Sequence, residues 1–116
     1  MRKDKDKDKA ALLQGTLDLL VLKTVETMGP LHGWAIAKRI EQISHDLLEM
    51  KYGTLYPALM RLEQSGWISS EWGTSENNRR ARFYSITRQG RKQLALEAES
   101  WEQMAAFITR VLGSTR

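Results

Sequence analysis

The chain has 116 residues, 41% hydrophobic and 28% charged, a balance that supports one ordinary soluble globular domain with a small core. Its net charge of +4 suits a polyanionic partner, and because the excess is modest its placement matters more than its size. The absence of cysteine excludes disulfides and thiolate metal sites and fits a reducing cytoplasm.

Residues 1–9, MRKDKDKDK, hold five basic and three acidic groups and no apolar run to bury, which predicts a solvated, disordered tail carrying +2 of the total charge. Ala10 to Leu13 are apolar, but Gln14, Gly15, Thr16 and Asp18 interrupt them, so the start of the chain reads as neither a signal peptide nor a membrane span. From Leu12 to Met28 leucines recur at helical spacing. Leu13, Leu17, Leu20, Val21, Val25 and Met28 fall on one face, and Leu12, Leu19 and Leu22 on another. A helix apolar on more than one side needs more cover than a small domain supplies. Gly29-Pro30 ends it, and a second helix is predicted from about Trp34 to Ser44, with Ile36, Ala37, Ile40 and Ile43 inward and Lys38, Arg39 and Glu41 outward.

Lys51 to Ile68, KYGTLYPALMRLEQSGWI, reads as a short amphipathic helix whose outer face has no core duty. Leu55, Leu59 and Leu62 make the inner stripe; Pro57, Met60, Arg61 and Gln64 point the other way. The helix is predicted to open at Gly53 or Thr54, with Pro57 in or beside its first turn, and to end at Gly66. Trp67–Trp72 and Ala81–Ile86 then show the aromatic and β-branched bias of strands, separated by the turn-forming string GTSENNRR. Thr87 can cap a last helix from about Arg88 to Leu112. Along it Leu94, Ala98, Trp101, Ala105, Ile108 and Leu112 follow alternating four- and three-residue steps, a heptad seam suited to dimerisation.

Helix, turn, helix, loop, helix and hairpin is the order of a winged helix-turn-helix, and the outer face of its third helix is the candidate reader of DNA. On it Arg61 can address guanine or phosphate, Thr54 and Tyr56 can donate to phosphate oxygens, and Pro57 can touch a thymine methyl; Lys51 and Tyr52 suit backbone contacts. Arg79, Arg80 and Arg82 on the hairpin suit a minor groove or its flanking phosphates. Among the tryptophans, Trp67 and Trp72 read as core or hairpin packing. Trp34 and Trp101 are candidate platforms for a flat aromatic effector at a dimer interface, with core packing the favoured use of both. His32 and His45 lack metal-site spacing, and no phosphate loop or nucleophile motif occurs, so no cofactor, metal or enzymatic role is expected.

The strings LLQGTLDLLVLKTV (Leu12–Val25), GPLHGWAIAKRI (Gly29–Ile40), GTLYPALMRLEQSGWI (Gly53–Ile68) and NNRRARFYSITRQGR (Asn77–Arg91) together resemble the PadR family. The short C-terminal helix resembles that family's small-subfamily members, and SENNRRA (Ser75–Ala81) its acidobacterial-type group. The resemblance implies a winged-helix transcriptional regulator, usually a repressor, that binds palindromic operators as a homodimer built by the last helix with the first. It gives Gly53–Ser65 the recognition-helix role and the hairpin around Gly73–Arg80 the wing role. It also implies relief by phenolic acids or flat aromatic drugs, with Trp34 standing where many relatives carry Tyr.

The expectation is therefore a mainly α fold with a small β-hairpin: a charged tail (1–9), a winged helix-turn-helix (10–87) and a C-terminal dimerisation helix (88–116). Its partners would be operator DNA, a second copy and an aromatic effector, in the cytoplasm and without a membrane. The rival is a winged-helix protein-interaction module lacking DNA affinity.

Overall fold

The computed structural model describes residues 16–45, 47 and 49–113. The charged tail and the first turn of the predicted leading helix lie outside them. Four helices and three short strands follow: α1 (residues 16–28), β1 (Leu31–His32), α2 (Gly33–Ile43), α3 (Tyr52–Gln64), β2 (Ile68–Thr74), β3 (Arg80–Ile86) and α4 (Arg88–Gly113). No helix among the described residues is long and apolar enough to cross a membrane.

The core forms where three amphipathic helices meet the base of the hairpin. Leu17, Val21, Leu22 and Val25 of α1, Ile36, Ala37 and Ile40 of α2, and Leu55, Ala58, Leu59 and Leu62 of α3 are buried, with Met50, Ile68, Tyr84 and Leu94 closing the cluster. Full burial of each Leu or Ile contributes about 1.5–3 kcal/mol. Two assignments to the inward faces change. Met28 and Ile43 sit in the last turns of α1 and α2, beyond the reach of the neighbouring helices, and both are exposed. Leu22, placed on the second face of α1, is fully buried instead.

The sheet has order β1-β3-β2 and is antiparallel throughout. The sequence predicts only the hairpin. β1 adds a two-residue edge, Leu31 opposite Tyr84 and His32 opposite Phe83, too short to leave a period-2 signature. His32 also opens α2, its Nδ1 accepting the Ala35 N–H at 3.3 Å. α3 starts at Tyr52, earlier than predicted, so Pro57 is its sixth residue rather than part of the first turn, and the Gly53 carbonyl receives no N–H from it.

The end of α3 fixes the direction of everything after it. The Gly66 N–H reaches the Glu63 carbonyl at 3.0 Å and the Trp67 N–H reaches Leu62 at 3.0 Å, a Schellman closure that needs the positive φ of Gly66 (80°). Thr87 then ties both ends of the hairpin together. Its N–H donates to Trp67 (3.0 Å), its hydroxyl donates to the Gly66 carbonyl (2.6 Å), and the same oxygen accepts the Gly90 N–H (3.0 Å), capping α4 as predicted. Gly90 is buried against this corner, where a Cβ would land on the Trp67 carbonyl oxygen. Gly90→Ala is expected to cost about 2–3 kcal/mol and to lower the thermal midpoint by roughly 10–20 °C, read by circular dichroism.

Candidate nucleic-acid interface

At 3.6 residues per turn, burial of Leu55, Ala58, Leu59 and Leu62 leaves Gly53, Pro57, Met60 and Gln64 along the opposite line of α3, and all four are exposed. Thr54 and Arg61 flank this line on one side, Tyr56 and Glu63 on the other. Both flanks are tied down. Arg61 Nη2 donates to Asp18 Oδ1 of α1 at 2.6 Å. Glu63 Oε2 accepts the Ser70 hydroxyl of β2 at 2.6 Å, and Ser70 Oγ accepts Arg82 Nε at 2.9 Å. Lys51, the N-cap residue, makes no side-chain cap bond, and residues 51–54 at this helix start are exposed.

Side chains alternate across the hairpin, so Ser70, Trp72 and Thr74 share a face with their register partners Tyr84, Arg82 and Arg80. Trp72 is 56% exposed and lies between two cations, with Arg80 Cζ 4.7 Å and Arg82 Cζ 5.1 Å from its ring centroid. It therefore serves the hairpin surface rather than the core, holding two guanidinium groups by cation–π attraction. Trp67, by contrast, packs against the core as predicted. The tip is ordered by Ser75, whose N–H donates to the Arg79 carbonyl (2.7 Å) and whose own carbonyl accepts from Asn78 N–H (2.9 Å). Asn78 has φ 59°, a conformation asparagine tolerates better than most residues.

Between the starts of α2 and α3 and this hairpin lies an open groove of about 560 Å³, lined among others by Trp34, Tyr52, Tyr56, Trp72, Arg80 and Arg82. Arg79 borders it as well. Trp34 is 52% exposed, with Lys38 Nζ 5.7 Å from its ring centroid, so it is not the core residue that was favoured for it. Tyr52 and Tyr56 lie 5.6 Å apart by ring centroid and present half-exposed rings. Gly33 does more than punctuate a helix: a Cβ there would sit 2.8 Å from the Tyr56 hydroxyl, so the bare backbone lets that ring approach α2. Five of the nine predicted contact residues, Tyr52, Tyr56, Arg79, Arg80 and Arg82, line this groove, while Lys51 and Thr54 are exposed at the start of α3. Pro57 and Arg61 stand on or next to the outer line of α3.

This arrangement has close counterparts among solved proteins. A transcriptional regulator from Clostridium thermocellum is similar at 32% identity, with a TM-score of 0.77 over 86% of this chain and 96% of that one. A PadR family transcriptional regulator from Eggerthella lenta is similar at 25% identity, with a TM-score of 0.74 over 97% of each chain. A PadR-like transcriptional regulator from Bacillus cereus, at 20% identity, shares the fold with a TM-score of 0.76 over 88% and 96%. Residues 21–96 match the profile of the transcriptional regulator PadR-like family. The chain belongs to that family.

In this PadR-like chain, α3 and the hairpin β2–β3 form the helix and wing of the winged-helix fold, and α4 is its C-terminal helix. The heptad residues of α4 divide between two uses. Leu94 is buried in the core and Ala98 is half-buried, whereas Trp101, Ala105, Ile108 and Leu112 are exposed, as are Met104, Phe107 and Val111 beside them. Trp101, 48% exposed, lines a second hollow of about 520 Å³ with Leu19, Leu20, Leu94 and Ala98, and so it too departs from the favoured core role. Trp34 and Trp101 therefore border different hollows.

Sequence reasoning missed Asp18, Glu63 and Ser70, the partners that hold the flanks of α3. Asp18 and Arg61 are 43 positions apart, and no local pattern pairs them. Tyr84, at the base of the groove, has its phenol pushed above its ordinary value of 10.0, first by burial and then by Glu63 and Tyr56, against an opposing effect of Arg82. The folded state thus favours the neutral phenol. Its contribution to stability is full below pH 10 and is lost as the pH rises further, because the unfolded chain ionises first. The urea midpoint should fall more steeply above pH 10 in the native protein than in Tyr84→Phe.

Proposed function

We propose that this PadR-like regulator is a sequence-specific duplex DNA-binding protein that acts as a homodimeric repressor. The observation that carries the reading is the uncovered outer line of α3 standing beside an arginine-bearing wing. Pro57, Met60 and Gln64 with Arg61 at their edge would enter a major groove, and Arg79, Arg80 and Arg82 would meet the adjacent phosphates or minor groove. Lys51, Tyr52, Thr54 and Tyr56 would contact phosphates near the start of α3.

The exposed seam Trp101, Ala105, Ile108 and Leu112 supports pairing through α4, since an apolar stripe of this length is costly to leave in water. Two copies related by a two-fold axis would place their α3 helices in successive major grooves, about 34 Å apart. Repression would be steric, by occlusion of a promoter. An aromatic effector seated beside Trp101 or Trp34 would change the spacing of the two readers and release the operator. The SENNRRA wing string supports placement in the acidobacterial-type group.

Selection from a random duplex pool, repeated with candidate aromatic compounds, is expected to return a two-fold symmetric site. Recovery of no preferred sequence, together with a salt-insensitive protein partner, would instead mark an interaction module. Arg79→Ala with Arg80→Ala should weaken binding to all duplexes alike and reduce the slope of log affinity against log salt by roughly 2. Arg61→Ala should instead relax sequence preference. Ile108→Glu is expected to shift a sedimenting dimer to monomer and to weaken operator binding with it.

A further inference from the structure

We propose that Asp18 is a specificity-determining positioning residue: its carboxylate sets the orientation in which Arg61 reads a base edge. The inference rests on the DNA-binding reading of α3. The Oδ1–Nη2 contact of 2.6 Å is a short charge-assisted hydrogen bond between α1 and the flank of the reading helix. Both side chains keep solvent contact, 27% exposed for Asp18 and 41% for Arg61. Ion pairs so exposed add little to folding, which leaves stability a poor account of this one.

What the pair does accomplish is geometric. A guanidinium carries five N–H donors in one rigid plane, and a bond from a single N–H of Nη2 restricts the side chain while leaving the other donors for a base edge. An unheld arginine must give up rotamer freedom when it binds a guanine, and one held beforehand has less to lose. The carboxylate has a second effect. It offsets the charge of Arg61, weakening attraction to any phosphate, while directional bonds to guanine O6 and N7 depend on alignment and survive. Asp18 thus trades general affinity for discrimination. α1 also touches α4, through Leu19 and Leu20 in the shared hollow and Glu26 Oε2 at 3.9 Å from Arg91 Nη1, so movement of α4 has a short route to Arg61.

The test compares dissociation constants for a selected operator and a scrambled duplex at one salt concentration, for the native chain, Asp18→Asn, Arg61→Ala and the double variant. Asp18→Asn should lower the operator preference about tenfold, the scale of one bidentate base contact, with scrambled-duplex binding unchanged or tighter. In the Arg61→Ala background it should have no further effect. A preference that is unchanged or raised, an equal loss on both duplexes, or an effect that persists without Arg61 overturns the assignment. Asp18→Ala gives the same comparison should the amide variant melt early, and Asp18→Glu should recover part of the preference. A native chain that distinguishes no duplex overturns the regulator reading and this assignment together, whereas a selective native chain indifferent to Asp18→Asn overturns this assignment alone.

Discussion

The rest of the structure depends on the burial of one side of α3. Leu55, Ala58, Leu59 and Leu62 are sealed against α1 and α2, and because an α-helix turns through a fixed angle per residue, that burial dictates which residues face away. Gly53, Pro57, Met60 and Gln64 are outward as a consequence of apolar packing, before any partner is considered. A rotation of the helix large enough to change them would expose leucine to water, at a cost comparable with much of the domain's stability.

The corner formed by Gly66, Trp67, Thr87 and Gly90 carries that constraint onward. Five hydrogen bonds meet there, three of them made by Gly66 or Gly90, so the hairpin leaves α3 at a set angle and α4 leaves the hairpin at another. The wing and α3 are then cross-linked a second time by the chain Arg82, Ser70, Glu63. A basic hairpin on a loose connection would sample many positions; this one is held beside α3 with Arg80 and Arg82 gathered on Trp72.

Apolar surface is distributed with equal economy. A domain of this size encloses only a small core, and α1 and α4 carry more leucine, tryptophan, phenylalanine and isoleucine than that core accommodates. The surplus gathers along the second half of α4 and in the hollow between α4 and α1, while the groove beside α3 and the wing carries Arg79, Arg80 and Arg82 with Trp34, Tyr52, Tyr56 and Trp72. The surplus apolar surface and the arginine-bearing wing thus lie on different parts of the molecule.

Much of this was legible in the sequence, because periodicity and punctuation are local. The leucine stripe, the glycine closing α3, the strand bias around Tyr84, the Thr87 cap and the long C-terminal helix α4 each follow from short-range pattern, and each appears in the structure. The start of α3 lies one or two residues earlier than its local sequence suggests, as helix ends often do, which leaves Pro57 beside the first turn. Only the tertiary structure decided which residues meet across long separations: the β1 edge on β3, Asp18 beneath Arg61, Glu63 against Ser70, and the bare Gly33 under Tyr56. It also moved Trp34 and Trp101 from expected core roles to the surface, and settled Trp72 on the hairpin rather than in the core. The reason is physical: a helix's own repeat fixes its inner and outer sides, but the neighbour that each flank touches is set by how separate elements pack, and no single segment encodes that.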